Sequence, residues 1–243
     1  VKKMILAVCL FAGLSLVMWS VAVGLGGPTP EQGAETQEGA GTMSSPARTF
    51  VIDDFESGSL RAPREWWTFD IQKAAAVPNE NLVAGRYDTG EYSLLLSGPA
   101  KNWYAGGCGT YIAKEKQDLS GYDAFQIDIY GNGPGSGTLK IEIFDDDNSN
   151  WQVEQDPAKA YAPIYDDKYT YDVSVDWNGW KRLTILLDDF VDDNPRVGDD
   201  VWNPVQSGGS GGLLQIQFVC LASKATGGVN MNIDNISLTV SEE

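Results

Sequence analysis

Histidine is absent from all 243 residues. Ser-His-Asp and Cys-His nucleophilic systems are therefore excluded, and so is any zinc or haem site ligated by imidazole. Acid–base work would fall to carboxylates, lysine or tyrosine. Positive charge is scarce as well: 17 Lys and Arg stand against 34 Asp and Glu, a formal net charge of −17. Nucleic acids and anionic membrane surfaces recruit proteins through Lys and Arg. The balance argues against both and suits neutral ligands or cations. Cysteine is limited to three residues. Cys9 sits in an N-terminal apolar run, which leaves Cys108 and Cys220 in predicted strands. A disulfide between them and a pair of buried core thiols are both open. No stretch holds a helical period over three turns.

Lys2 and Lys3 precede a long apolar run, residues 4–25. Charge followed by an apolar stretch is the pattern of an export signal. At roughly 22 residues the run is also long enough to span a bilayer. A cleaved secretory signal is favoured over an uncleaved anchor that would tether the chain to a membrane. Either way the remainder is expected outside the cytoplasm: secreted, periplasmic or at the cell surface. Residues 26–48 are rich in Gly, Pro, Thr, Glu and Ser without apolar periodicity, the composition of a flexible linker. Residues 49–241 are expected to form one folded domain.

That domain reads as many short alternating strands separated by Gly-rich turns, which predicts an all-β antiparallel sandwich. The most informative stretch is residues 118–144. Phe125, Ile127 and Ile129 alternate with Gln126, Asp128 and Tyr130. After the glycine-rich residues 131–137, Leu139, Ile141 and Ile143 alternate with Lys140, Glu142 and Phe144. Period two marks strands with one buried and one wet face. A later run places Gln215 and Gln217 opposite Leu214, Ile216 and Phe218. Glutamine is a poor strand former, so its recurrence on wet faces suggests use. If these strands share a sheet, Gln126, Asp128, Lys140, Glu142, Gln215 and Gln217 carpet one surface. Tyr130 and Phe144 would serve as platforms, with Trp151 and Tyr169 from the rim. Aromatic faces and planar polar groups together bind sugar rings. The bland alternative is an ordinary solvated face. The run Asp145-Asp146-Asp147-Asn148-Ser149 has alternating oxygen donors. It lacks the glycine and closing glutamate of a helix-flanked calcium loop, so a polar turn is the preferred reading.

Four segments together look like a known family. Asp53-Asp54-Phe55-Glu56, residues 118–129, residues 178–190 and the closing stretch Asn232–Leu238 resemble the family 11 carbohydrate-binding modules. They are also similar to the complex I intermediate-associated protein 30 family. The resemblance implies a galactose-binding-like jelly-roll with a concave sheet face for a polysaccharide or oligosaccharide. It also implies a structural calcium held by Asp54, Glu56 and Asp234. Carboxylates from distant strands would tie the two ends of the domain together. The chain departs from the family 11 pattern near Cys220 and carries an insertion around residues 148–168, so mixed-linkage glucan specificity is not implied. The leading expectation is an exported, non-catalytic carbohydrate-binding protein. An assembly module with a protein partner in the cell envelope is the alternative. A glycoside hydrolase using Asp128 and Glu142 as paired carboxylates is the third reading.

Overall fold

A computed structural model of the chain describes residues 48–79, 88–112, 118–159, 161–202 and 212–241. All belong to one compact unit, Ser44–Glu243. The expected export segment and linker, up to residue 47, lie outside the described residues. No described helix is long and apolar enough to cross a membrane.

In chain order the strands are β1 (Thr49–Asp53), β2 (Trp66–Phe69), β3 (Lys73–Pro78), β4 (Tyr92–Pro99), β5 (Tyr104–Tyr111), β6 (Ala124–Asn132), β7 (Gly137–Asp145), β8 (Gln155–Asp156), β9 (Ala162–Pro163), β10 (Lys168–Val175), β11 (Asn178–Leu186), β12 (Val191–Asp192), β13 (Leu213–Leu221) and β14 (Gly228–Thr239). Among the described residues helix is confined to two short 3-10 turns, Pro157–Lys159 and Leu187–Asp189. The first sheet runs β11-β6-β14-β4-β3, with β1 also paired to β14; the second runs β12-β10-β7-β13-β5-β2. Every pairing is antiparallel. The sandwich expected from the strand pattern is what forms.

The two sheets close on one core. Phe125, Ile127 and Ile129 from β6 and Leu139, Ile141 and Ile143 from β7 are all buried in it. Trp66 of β2 stacks on Phe218 of β13 with centroids 5.6 Å apart. Each such side chain contributes about 1.5–3 kcal/mol through apolar area removed from water. Cys108 and Cys220 are buried and free. Burial pushes the Cys220 thiol up to about 12, so it stays protonated as core filling.

β6 and β7 do not share a sheet. The connection between them is an arch from one sheet to the other. Gly133, Gly135 and Gly137 take φ of 86°, 107° and 108°, a region closed to most residues. Ser136 Oγ donates to the Gly133 carbonyl and accepts from the Asn132 N–H, both at 2.8 Å. An arch turns two apolar faces toward one core from opposite sides, whereas a hairpin sets them side by side. Alternation is identical in the two cases, so the pattern alone did not distinguish them.

Candidate functional site

The outward face of the second sheet gathers the richest set of side chains. Register sets Glu142 of β7 opposite Gln217 of β13 and Thr170 of β10. Gln217 Nε2 donates to Glu142 Oε2 at 3.0 Å, and Gln215 Nε2 donates to Gln217 Oε1 at 3.4 Å. Lys168 Nζ lies 3.7 Å from Glu142 Oε1 and 2.7 Å from Asp193. Lys140 lies 3.6 Å from Asp172. Burial pushes the Glu142 carboxyl above the usual range, and Lys168 and Lys140 pull it back. The row therefore offers amide donors and acceptors, a carboxylate and an ammonium in one line, the equipment for hydroxyl recognition.

The aromatic half of this face lies on β2 and β5, which the sequence pattern did not single out. Trp67 sits opposite Gly109, and Phe69 opposite Gly107. A Cβ at Gly109 would fall 2.7 Å from Trp67 Cζ2, and one at Gly107 would fall 2.6 Å from Phe69 Cζ. Glycine on the outward side of β5 thus lets both rings lie across the strand, beside the row on β13. Tyr111 joins them, its ring 5.1 Å from that of Trp67. The Tyr111 hydroxyl accepts from the backbone N–H of Val153, so the inserted segment reaches one end of the face. Trp66 and Trp67 are adjacent and look alike in sequence. Only the glycines at 107 and 109 signalled which ring would be free to lie flat.

Several expected members are elsewhere. Gln126, Asp128 and Tyr130 lie on β6, in the first sheet, because the arch carries β7 away. Asp128 is fully buried and tied to Arg182 at 2.7 and 2.6 Å and to Asn235 at 2.9 Å. Gln126 pairs with Thr184, and Tyr130 packs edge-on against Trp180. Phe144 is 1% exposed and offers no platform. Tyr169 belongs to the core and packs edge-on against Trp202. Trp151 is half-buried in the inserted segment, its N–H bonded to Asp146. Lys140, Glu142, Gln215 and Gln217 are brought together; Asp128 and Glu142 are not. The paired-carboxylate arrangement of a hydrolase is thereby broken.

The three expected calcium ligands lie on the first sheet's side. Asp234 is buried, and its Oδ2 has no hydrogen-bond partner. Burial raises its carboxyl to about 8, and Asp128, Glu56 and Asp54 add to the rise. Glu56 accepts from the N–H groups of Glu91 and Tyr92 at 2.9–3.0 Å. Asp54 accepts from the Glu56 N–H at 3.2 Å.

No family model matches the chain, and no curated protein matches it. Among solved structures it is similar to a family 11 carbohydrate-binding module from Clostridium thermocellum, in complex with a β-1,3-1,4-mixed-linked tetrasaccharide. Identity is 19% over 82% of this chain and 99% of that one, with a TM-score of 0.47. A CBM22-2 xylan-binding domain from Paenibacillus barcinonensis matches at 15% identity, 79% and 99% coverage and a TM-score of 0.41. An exo-β-agarase matches at 15% identity over 79% of this chain and 25% of its own, with a TM-score of 0.48.

Proposed function

We propose that the chain is an exported, non-catalytic carbohydrate-binding protein that holds a polysaccharide across the outward face of its second sheet. The observation that carries this reading is Trp67 laid over Gly109 beside the hydrogen-bonded row Gln215, Gln217 and Glu142, with Lys168 paired to Glu142 by charge. An apolar ring face takes the C–H side of a pyranose, and the row takes its hydroxyls. Trp67, Gln217 and Lys168 stay partly exposed above the buried Glu142 and Gln215, so a polymer could lie along the row. Affinity electrophoresis of the full chain through gels holding soluble β-glucan, xylan, mannan or pectin tests the reading. Retardation by one polymer, lost in Trp67→Ala, is the expected result. Uniform mobility through all four overturns it. It would favour a protein partner instead, for which the exposed Tyr161, Ile164 and Tyr165 of the inserted segment are the surface of choice.

A structural calcium near Asp234 belongs to the same proposal. A buried carboxylate with a free oxygen and two further carboxylates nearby fits a hard cation. Asp54 and Glu56 would complete the charge, and the ion would join the β1 end to β14. Chelation is expected to lower Tm, and Asp234→Asn to remove that part of the response. An unchanged Tm on chelating a calcium-loaded sample would exclude the site.

A further inference from the structure

Residues 145–149 read as a polar turn when taken alone, because a local cation loop needs more donors than they supply. The fold brings in a residue twenty positions away. Asp145 ends β7, Asp147 opens the segment that leaves the sheet, and Asp167 stands immediately before β10. One carboxylate oxygen from each lies within 4.8 Å of the other two. We propose that Asp145, Asp147 and Asp167 hold a divalent cation of the calcium class where the inserted segment leaves and rejoins the second sheet. This site is separate from the one at Asp234, and it does not depend on the sugar-binding reading.

The support goes beyond a concentration of acids. Asp167 is fully buried; its Oδ2 accepts from the Val201 N–H at 3.1 Å, and its Oδ1 has no partner. Asp147 repeats the pattern: Oδ2 accepts from the Asp167 N–H at 2.9 Å, and Oδ1 has no partner. Asp167 is thus oriented by the Val201 N–H and Asp147 by the N–H groups of Asp167 and Asp199, and each is left with one oxygen to give. A buried, unpaired carboxylate oxygen is costly unless something cationic meets it. Among the described residues, no Lys or Arg stands within ion-pair distance of Asp147 or Asp167; the adjacent Lys168 turns to Glu142 and Asp193 instead. The Tyr169 hydroxyl, 8% exposed, also lacks a partner at the same spot. Gly198, at φ 77°, closes the other side: a Cβ there would run into Asp147 Oδ2 and Asp167 Oδ1.

The donors identify the cation. Three carboxylates with no His or Cys select a hard ion over zinc or copper. Magnesium keeps most of its water and uses one or two carboxylates, whereas calcium accepts several at flexible geometry. The ion would join the end of β7 to the start of β10, where Asp167 also holds the 196–201 turn through the Val201 N–H.

The test is calcium titration of the chelator-treated full chain by calorimetry, with terbium luminescence sensitised by Trp202 as a second readout. Wild type is compared with Asp147→Asn, Asp167→Asn and Asp234→Asn. The expected result is a calcium-binding event that survives Asp234→Asn and weakens at least about tenfold in Asp147→Asn and Asp167→Asn. Relief of charge crowding should leave the chelated Asp167→Asn chain melting no lower than chelated wild type, which verifies folding. If it does not fold, Asp147→Asn decides. Identical isotherms in wild type and the folded variants overturn the proposal. So does a wild type whose only calcium event is the one that Asp234→Asn removes.

Discussion

β6 and β7 carry nearly the same outward pattern, each with an acid at its centre, yet they present different surfaces. On the first sheet Asp128 meets Arg182 and Asn235, Gln126 meets Thr184, and Tyr130 meets Trp180. The polar groups there consume one another. On the second sheet Glu142 meets Gln217 and Lys168, and the next strand carries glycines under aromatic rings. Capacity remains for a ligand. What a strand's wet face does is decided by its neighbours across the ladder, not by its own residues.

The largest expected effect is pH, which acts on the acids beside both faces. Burial and neighbouring acids raise Asp147 and Asp167 to about 6, Asp166 to about 7 and Asp234 to about 8. A carboxyl raised on folding contributes stability below its unfolded value, and that contribution is lost as pH rises through the folded one. The chelated protein should therefore lose stability between about pH 4 and pH 8. The inserted segment's acids should act first and Asp234 last. Saturating calcium should flatten the curve by favouring the ionised forms. Thermal melts across this range check it; a chelated protein whose Tm climbs from pH 4 to pH 8 contradicts it.

Asp128→Ala comes next. It strands a partly buried guanidinium and removes an Asn235 acceptor. The cost is about 3 kcal/mol, the low end for breaking a buried pair because Arg182 keeps some solvent contact. Denaturant unfolding should record it, while the folded variant's polysaccharide retention stays at the wild-type level. Trp67→Ala should do the reverse. Its ring is half-buried against Tyr111, so stability changes by about 1 kcal/mol. Binding should fall by about 2 kcal/mol, near thirtyfold, as for a central aromatic contact. If Asp128→Ala abolished retention in a folded chain, the assignment of the two faces would be reversed.

Much of the fold was legible because its core strands alternate plainly. β3 was not: Ala74, Ala75 and Ala76 in succession give no period, and alanine has little strand preference. The site was legible only in part. Glu142 and Gln217 were singled out because planar polar groups recur on wet faces, and the fold does set them side by side. Asp128 was misjudged because its partner, Arg182, comes from a strand whose pairing alternation does not specify. Tyr169 was misjudged because the pleat of β10 turns it inward, opposite Ile143, and Phe144 because alternation assigns a side chain its face but not its exposure. The cation site at Asp167 needed contact between residues twenty apart, which no local motif records.

The smallest effect expected is that of Gln217→Ala, and it is the sharpest test of the row. Gln217 donates to Glu142 and accepts from Gln215. Its loss should cost about 1 kcal/mol of binding, roughly fivefold, as for one net hydrogen bond. A second consequence separates this from a general loosening of the face. The Gln217 amide helps hold the Glu142 carboxyl down against burial. Without it that carboxyl rises further, and Glu142 takes up its proton at a higher pH. If the ionised carboxylate accepts from sugar hydroxyls, retention falls off on acidification, and in Gln217→Ala the fall-off should shift upward in pH. Gln217→Ala with weaker retention and an unmoved pH midpoint would mean that Glu142 positions Lys168 and does not itself meet the ligand.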